Sequence, residues 1–461
     1  MEWVKARFGL RTNVLRPVPD YSLNPLYWLG ALTVIAFVLQ ALTGLLMLIY
    51  YVPTVDQAYS STQFIIQSVP LGWLLETVHL YGAYAMILLA LLHLLRGYFL
   101  SVQKRPREMM WVIGVIMGLV VLGFGLTGYL LPRTVVSKSA TDVSVGMLSF
   151  LPIQIGPIIT FLIAGDGSSA AELTRFFDLH IVVLPAALFS LLALKLFLFE
   201  AHGAAEPVTG AKESRDIPWF PTVYLYFAMI GSVFVAVVFV ASALFPVSLA
   251  AQFTPQAASN YVPQPEWYFL WMYQVLKFAS FEGSGIYYAL GGVTILLAGL
   301  VLLPFFDRGR ARSPRARPLY TTAGVVVVAE IVVLTVWGYF TPGQIISDAA
   351  AVEVIGVVAL IAALASAFLL RTRSRVQRIS SAMKPVRSAF AFPLKNRLTS
   401  SVFVVLLCIG SVCFANLVDS GLGTAFNSSV FALNMAGLLV AFYAMARIMK
   451  GLSAKYRGSR S

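Results

Sequence analysis

The sequence predicts an all-α polytopic membrane protein of about ten transmembrane helices, and three observations carry that reading. Hydrophobic residues make up 59% of the 461 and charged residues only 11%, against about 25% charged in a soluble domain. Apolar runs long enough to cross a bilayer, which takes roughly 20 residues each, recur along the whole chain. The basic residues behind the net charge of +13 crowd into alternate loops, as the positive-inside rule requires.

The runs lie near 28–51, 73–100, 110–131, 176–200, 221–245, 287–305, 319–341, 351–370, 399–417 and 429–449. Loops 52–72, 342–350 and 418–428 contain no Lys or Arg, and the longer loops 132–175 and 246–286 hold only Arg133, Lys138, Arg175 and Lys277. The other side carries Lys104, Arg105 and Arg107, the run Arg308, Arg310, Arg312, Arg315 and Arg317, and a dense stretch from Arg371 to Arg397. Both termini are therefore predicted to be cytoplasmic. The basic runs read as topology signals in contact with anionic lipid, and no nucleic-acid partner is expected. Residues 1–22 lack a separate short apolar core, so no removable signal peptide is expected. Cys408 and Cys413 stand five apart in an apolar run, which is not a metal-ligand spacing. Two outer stretches, near 137–152 and 265–280, are amphipathic, and long loops with structure of their own are more often functional.

Of the four histidines, His79 and His93 share the second span, 14 residues apart. That interval is nearly four helical turns, so both face one way, about 21 Å apart along the axis. The hydrocarbon layer is about 30 Å thick, and the geometry suits two stacked metal centres, one per leaflet. Ionisable residues inside a span are rare and usually functional. Gly30 and Gly44 in the first span and Gly114 and Gly128 in the third repeat the same 14-residue interval. A glycine leaves a notch where a flat macrocycle can lie against backbone; ordinary small-residue packing does not require that repeat.

The stretches "GWLLETVHLYGAY", "HLLRG", "GYLLP", "LTRFFDLHIVVLP", "IPWFP" and, above all, "PEWYFL" (Pro265 to Leu270) resemble cytochrome b, the central subunit of quinol-oxidising complexes that contain a Rieske iron–sulfur protein. The likeness covers about residues 20–370. It implies an N-terminal four-helix bundle enclosing two haems (b-type or a modified haem) over residues 1–215 and a second four-helix half over 216–375; the basic linker with two extra spans over 376–461 lies outside the shared pattern. It pairs His79 with His180 at the outer haem. It places Arg96 and Arg175 near the propionates. It makes Glu266 the proton acceptor of an outer quinol site lined by Pro265, Trp267, Tyr268 and Tyr273, with the stretch from Ser137 to about Leu151 as the other wall. Implied partners are membrane quinol, the Rieske protein, a cytochrome c-type subunit or terminal oxidase, and a second copy or supercomplex in a prokaryotic cell membrane.

The sequence departs from the family pattern at the inner level. Lys195 stands where His93 should find its histidine partner, and His202 lies about 33 Å along the helix from His180, too far to substitute. Three readings stand: Lys195 ligates as a neutral amine, His93 ligates alone or to a different haem, or Lys195 snorkels and the inner level holds no haem. Glu200, Tyr226, Phe227 and Glu76 replace residues of the family's inner quinone and haem surroundings. Two other function classes remain: a passive haem-bearing anchor subunit, which needs no outer carboxylate loop, and a haem-free transporter, for which inverted repeats or broken helices are the sign.

Overall fold

The computed structural model describes residues 17–150, 155–166, 168–208 and 216–371. The spans expected at 399–417 and 429–449, the basic stretch before them and both cysteines lie outside the described residues. Eight helices are long and apolar enough to cross a membrane, and they match the first eight expected runs.

The chain forms α1 (Trp28–Leu48), α2 (Ala58–Ser68), α3 (Gly72–Phe99), α4 (Glu108–Leu130), α5 (Val135–Ser149), α6 (Ile155–Ala164), α7 (Ser169–Asp178) and α8 (Leu184–His202). It continues with α9 (Tyr224–Leu244), α10 (Pro255–Ser259), α11 (Leu270–Leu276), α12 (Ile286–Phe306), α13 (Pro318–Phe340) and α14 (Asp348–Arg371). The β structure among the described residues is a two-residue antiparallel ladder, Val18–Pro19 against Asp216–Ile217, and two isolated bridges, Thr134 to Gln252 and Phe278 to Ile346.

The spans form because each is an unbroken apolar run whose backbone groups must bond within the helix once water is absent. α3 packs against α1 and α4, and α4 against α8; Phe37 of α1 meets Phe189 of α8 at 5.0 Å between ring centroids and closes the bundle. α9 packs on α1 and α3, α12 on α4, and α11 and α14 on α13. At the centre of the bundle lies an apolar layer of Ala36, Phe37, Met86, Ile87, Val121 and Leu188, to which Tyr268 adds its ring. Met86 is halfway between His79 and His93, Phe37 halfway between Gly30 and Gly44, and Val121 halfway between Gly114 and Gly128.

The fourth span differs from expectation. Its helical run is continuous from Ser169 to His202 instead of beginning near 176. Ser168 caps the start, its hydroxyl accepting from the Ala171 N–H at 3.2 Å, the usual serine role. Glu172 and Arg175 make this segment look like loop, but each has a local partner. Lys138 pairs with Glu172 at 3.1 Å, and Arg175 donates to the Leu162 carbonyl at 3.0 Å. Between α7 and α8, Leu179–Val183 forms a π-helical turn. Pro185 explains it: proline has no N–H and its ring collides with the carbonyl four residues back, so the helix widens by one residue and the Leu184 N–H bonds Leu179 instead. Within the amphipathic stretch near 265–280, α11 is α-helical and a 3-10 turn begins at Ala279.

On the face carrying the basic loops, a buried ionic cluster joins the two halves of the chain. Asp307, at the end of α12, accepts from Lys104 at 2.9 Å and from Gln103 at 3.2 Å and pairs with Arg317. The side chains of Lys104, Asp307 and Arg317 are 9%, 4% and 4% exposed. Asp307→Ala leaves two buried cations without their counter-charge. We expect a loss of about 3–5 kcal/mol, read as a fall in the thermal midpoint of the purified protein in detergent.

Candidate haem and quinol sites

The outer level is built from His79 on α3 and His180 on the π-helical turn, with ring centroids 6.4 Å apart. Each ring is oriented by a threonine. Thr43 Oγ1 lies 2.8 Å from His79 Nδ1, and Thr127 Oγ1 lies 3.1 Å from His180 Nδ1. Each hydroxyl also donates to its own helix, Thr43 to Leu39 and Thr127 to Gly123, both at 2.8 Å. A hydroxyl has one proton. With that proton on a carbonyl, the oxygen accepts from the imidazole, which fixes the proton on Nδ1 and leaves the Nε2 lone pairs free. That is the tautomer a metal needs, set by an outer hydrogen bond as is usual for ligating histidines. The threonines were not predicted. Their signal is the dipeptide Thr-Gly, present at Thr43-Gly44 and Thr127-Gly128 and absent at Gly30 and Gly114.

The glycines face the expected ligands directly. A Cβ on Gly44 would stand 3.3 Å from His79 Cε1, one on Gly128 2.5 Å from His180 Cε1, one on Gly30 3.1 Å from His93 Cε1 and one on Gly114 3.0 Å from Lys195 Nζ. Each notch thus holds the donor side chain itself. Lys195 stands to Gly114 as His180 stands to Gly128. The π-helical turn accounts for this placement: it inserts one extra residue, so the 15-residue interval from His180 to Lys195 turns like the 14-residue interval from His79 to His93.

The outer residues fit a haem: two imidazoles of defined tautomer face one gap, cradled by glycines. The inner level offers an imidazole and an amine. His93 Nδ1 is buried without a partner, so nothing there fixes its tautomer. Arg96, one turn beyond, stacks on Tyr27 at 4.2 Å from the ring centroid and keeps a buried Nε without a partner. Arg175 instead holds the carbonyl end of α6. Glu76, one turn before His79, has a buried carboxylate oxygen without a partner. Among the described residues no cluster of three or more His, Cys, Asp or Glu exists that could hold a metal ion without such a macrocycle.

A cavity of about 200 Å³ is lined by Pro263, Pro265, Phe269 and Tyr273 on one wall and by Ala140, Val143, Ser144 and Met147 of α5 on the other. A cavity of roughly 150 Å³ accommodates benzene, so this one takes a single substituted ring. Pro265 and Tyr273 line this cavity opposite α5. Trp267 and Tyr268 do not line it: Trp267 packs edge-on against Tyr84, with centroids 6.4 Å apart, and Tyr268 belongs to the central apolar layer. Tyr273 turns its hydroxyl to the Pro263 carbonyl at 2.7 Å, so its ring, not its proton, faces the cavity.

Glu266 lies beside Pro265 and is directed inward. Tyr84 of α3, five residues after His79, donates to Glu266 Oε2 at 2.7 Å. Burial raises the Glu266 carboxyl above the ordinary carboxylate range, opposed by hydrogen bonds from Tyr84 and the Trp267 backbone. Tyr84 is the functional partner the sequence did not announce.

These features define an integral-membrane, haem-binding helical bundle. Two family models match the chain, Cytochrome b/b6/petB over residues 15–203 and Cytochrome b(C-terminal)/b6/petD over 256–352, and the chain belongs to the cytochrome b family. It is 34% identical over 347 residues to "Cytochrome bc complex cytochrome b subunit" of Chlorobaculum thiosulfatiphilum, covering 72% of this chain and 79% of that one. It is 30% identical over 484 residues to "Cytochrome b" of Sulfolobus acidocaldarius, covering 96% of this chain and 82% of the relative. A solved structure described as "Hyperthermophilic respiratory Complex III" matches with a TM-score of 0.64 at 26% identity, over 80% of this chain and 96% of that one.

The glycine contacts give a paired test. Gly128→Ala forces a Cβ into the His180 ring, whereas Gly118 has nothing within 4 Å. We expect Gly128→Ala to lower the haem absorbance of the purified protein and Gly118→Ala to leave it unchanged; equal spectra would remove the role given to the notch.

Proposed function

We propose that this chain is the cytochrome b subunit of a bc-type respiratory complex and that it oxidises membrane quinol at its outer face. The observation that carries the reading is the Tyr84–Glu266 hydrogen bond, which joins the proton-accepting loop to the helix bearing His79. The substrate ring enters between α5 and the Pro265 loop, where the apolar walls exclude water. A quinol gives up two protons with its two electrons: Glu266 takes one after its carboxylate swings from Tyr84 towards the cavity and releases it on the outer side, and the other leaves with the electron passed to the second acceptor. Haem supplies a one-electron acceptor when bound; His79 and His180 hold it at the outer level. Two electrons leave one quinol, so a second acceptor is needed, and we assign that part to a Rieske iron–sulfur partner docking on the outer loops. His93 and Lys195 would hold a second haem at the inner level, the lysine as a neutral amine. A passive haem-bearing anchor has no use for a buried carboxylate beside an apolar cavity, which disfavours that class.

Proton transfer by a positioned side chain contributes roughly 10²–10⁴-fold. Glu266→Gln should therefore lower quinol oxidation by at least about 10² without changing the haem spectrum. Only the ionised carboxylate accepts a proton, so the wild-type rate should rise with pH through the raised Glu266 pKa and fall below it. That acidic limb should vanish in the variant; an unchanged limb assigns the proton to another group.

Lys195 is tested by cofactor counting. We expect a haem-to-protein ratio near two and a low-spin spectrum for the inner centre that changes in Lys195→Ala. A ratio near one removes the inner haem. Inhibitors of the inner quinone site should bind weakly, given Glu200, Tyr226 and Phe227; strong inhibition would contradict the altered site.

A further inference from the structure

The helix that walls the cavity opposite the Pro265 loop carries its charges on its other side. Ala140, Val143, Ser144 and Met147 of α5 line the cavity. At 3.6 residues per turn, Lys138 stands about half a turn away from Ala140 and Met147. Lys138 is 8% exposed, and a buried ammonium is costly unless carboxylates pair with it. Asp142 of the same helix and Glu172 of α7 do so, the latter at 3.1 Å. The ring of Phe253 covers the ammonium, its centroid 5.8 Å from Nζ.

The two carboxylates are not equivalent. Asp142 is 51% exposed and sits at i+4 within α5, where an ion pair contributes little. The Glu172 side chain is 9% exposed, and its Oε1 is buried without a partner. Lys138 is therefore its one hydrogen-bonding side chain among the described residues. α5 packs on α4 and α6, and α7 packs on the same two helices; the Lys138–Glu172 pair spans directly from α5 to α7. A buried ion pair adds little net stability, because desolvation offsets the attraction, yet removing one partner strands the other charge. Such a pair favours the one arrangement that keeps it closed.

α7 is a firm support. Ser168 caps its start, Arg175 ties it to the Leu162 carbonyl, and its helical run continues to His202, carrying His180 on the way. The start of α5 is fixed separately: the Val135 N–H donates to the Ala251 carbonyl at 2.8 Å and the Phe253 N–H to the Arg133 carbonyl at 3.2 Å. The cavity-lining residues of α5 all follow Lys138. The pair thus stands between the fixed start of the helix and its cavity wall.

We propose that Lys138 and Glu172 are positioning residues: their ion pair ties the α5 wall to the helix that carries His180 and so sets the shape of the cavity. The inference rests on the reading of that cavity as the quinol site. Neither side chain lines it; both act through α5.

The test uses the full chain in its purified membrane complex and two probes, decylbenzoquinol for turnover and its dimethyl ether, which cannot be oxidised, for binding by equilibrium dialysis. Glu172→Gln should weaken binding of the ether by at least about fivefold, the lower end of the usual coupling between linked sites. KM for the quinol should rise in step, with kcat less affected and haem content unchanged. Lys138→Gln should behave alike. The exchanged pair, Lys138→Glu with Glu172→Lys, restores the tie with reversed polarity and should recover binding. Asp142→Asn removes a carboxylate from the same ammonium without untying α5, and it should bind the ether as the wild type does. Unchanged binding in Glu172→Gln, or no recovery in the exchanged pair, overturns the proposal. An equal loss in Asp142→Asn also overturns it, assigning the effect to charge alone, and loss of haem together with ether binding does so by making the pair a contact of the fold. A wild type that binds the ether but oxidises no quinol refutes the proposed function, while the binding measurements still decide the role of the pair.

Discussion

The arrangement depends on one geometric constraint: donors and glycines must recur at the same interval on neighbouring helices. A regular helix brings position 14 nearly back to phase after about 21 Å. Three helices keep that interval exact in sequence, through His79 and His93, Gly30 and Gly44, and Gly114 and Gly128. The fourth carries an interval of 15 and recovers the phase by widening one turn at Pro185. Because the repeat is held on all four helices, each donor meets a glycine, and the space between the two levels fills with the apolar layer around Phe37 and Met86.

Within that frame the two levels differ chemically. The outer one has both imidazoles fixed by threonines whose protons are spent on helix carbonyls. The inner one has a histidine with an unpartnered Nδ1 and a lysine of long, flexible stem. A rigid pair of aromatic donors and a pair with one adaptable amine do not impose the same field on a metal, and the axial ligand is one of the main determinants of haem potential. The asymmetry between the levels is thus written in side chains that are neither glycine nor histidine.

Much of this was legible in the sequence because it rests on period and composition. The eight described spans and the shared face of His79 and His93 follow from apolar length and residue spacing; the place of Lys195 and the walls of the quinol site were expected only from the resemblance to cytochrome b. The missed features depend on local competition that period does not report. The π-helical turn needs a proline read together with its carbonyl four residues earlier. The start of the fourth span was hidden because Glu172 and Arg175 are polar in sequence but find partners in Lys138 and the end of α6. Tyr84 was invisible as a partner of Glu266 because 182 residues separate them, and α2 lies in a loop whose apolar content is too low to read as an element. Trp267 and Tyr268 sit in the motif but point away from the cavity, a fact that only tertiary packing decides.

The apolar layer between the levels also acts as a dielectric. A charge moved from the outer to the inner level crosses about 21 Å of a hydrocarbon thickness of about 30 Å, roughly two-thirds of the membrane voltage. Against a potential of 100 mV, worth about 2.3 kcal/mol per elementary charge, that passage is worth about 1.5 kcal/mol. Under the proposed function, this drop would act on any charge passed between the levels across the layer of Phe37, Met86, Ile87, Val121 and Leu188.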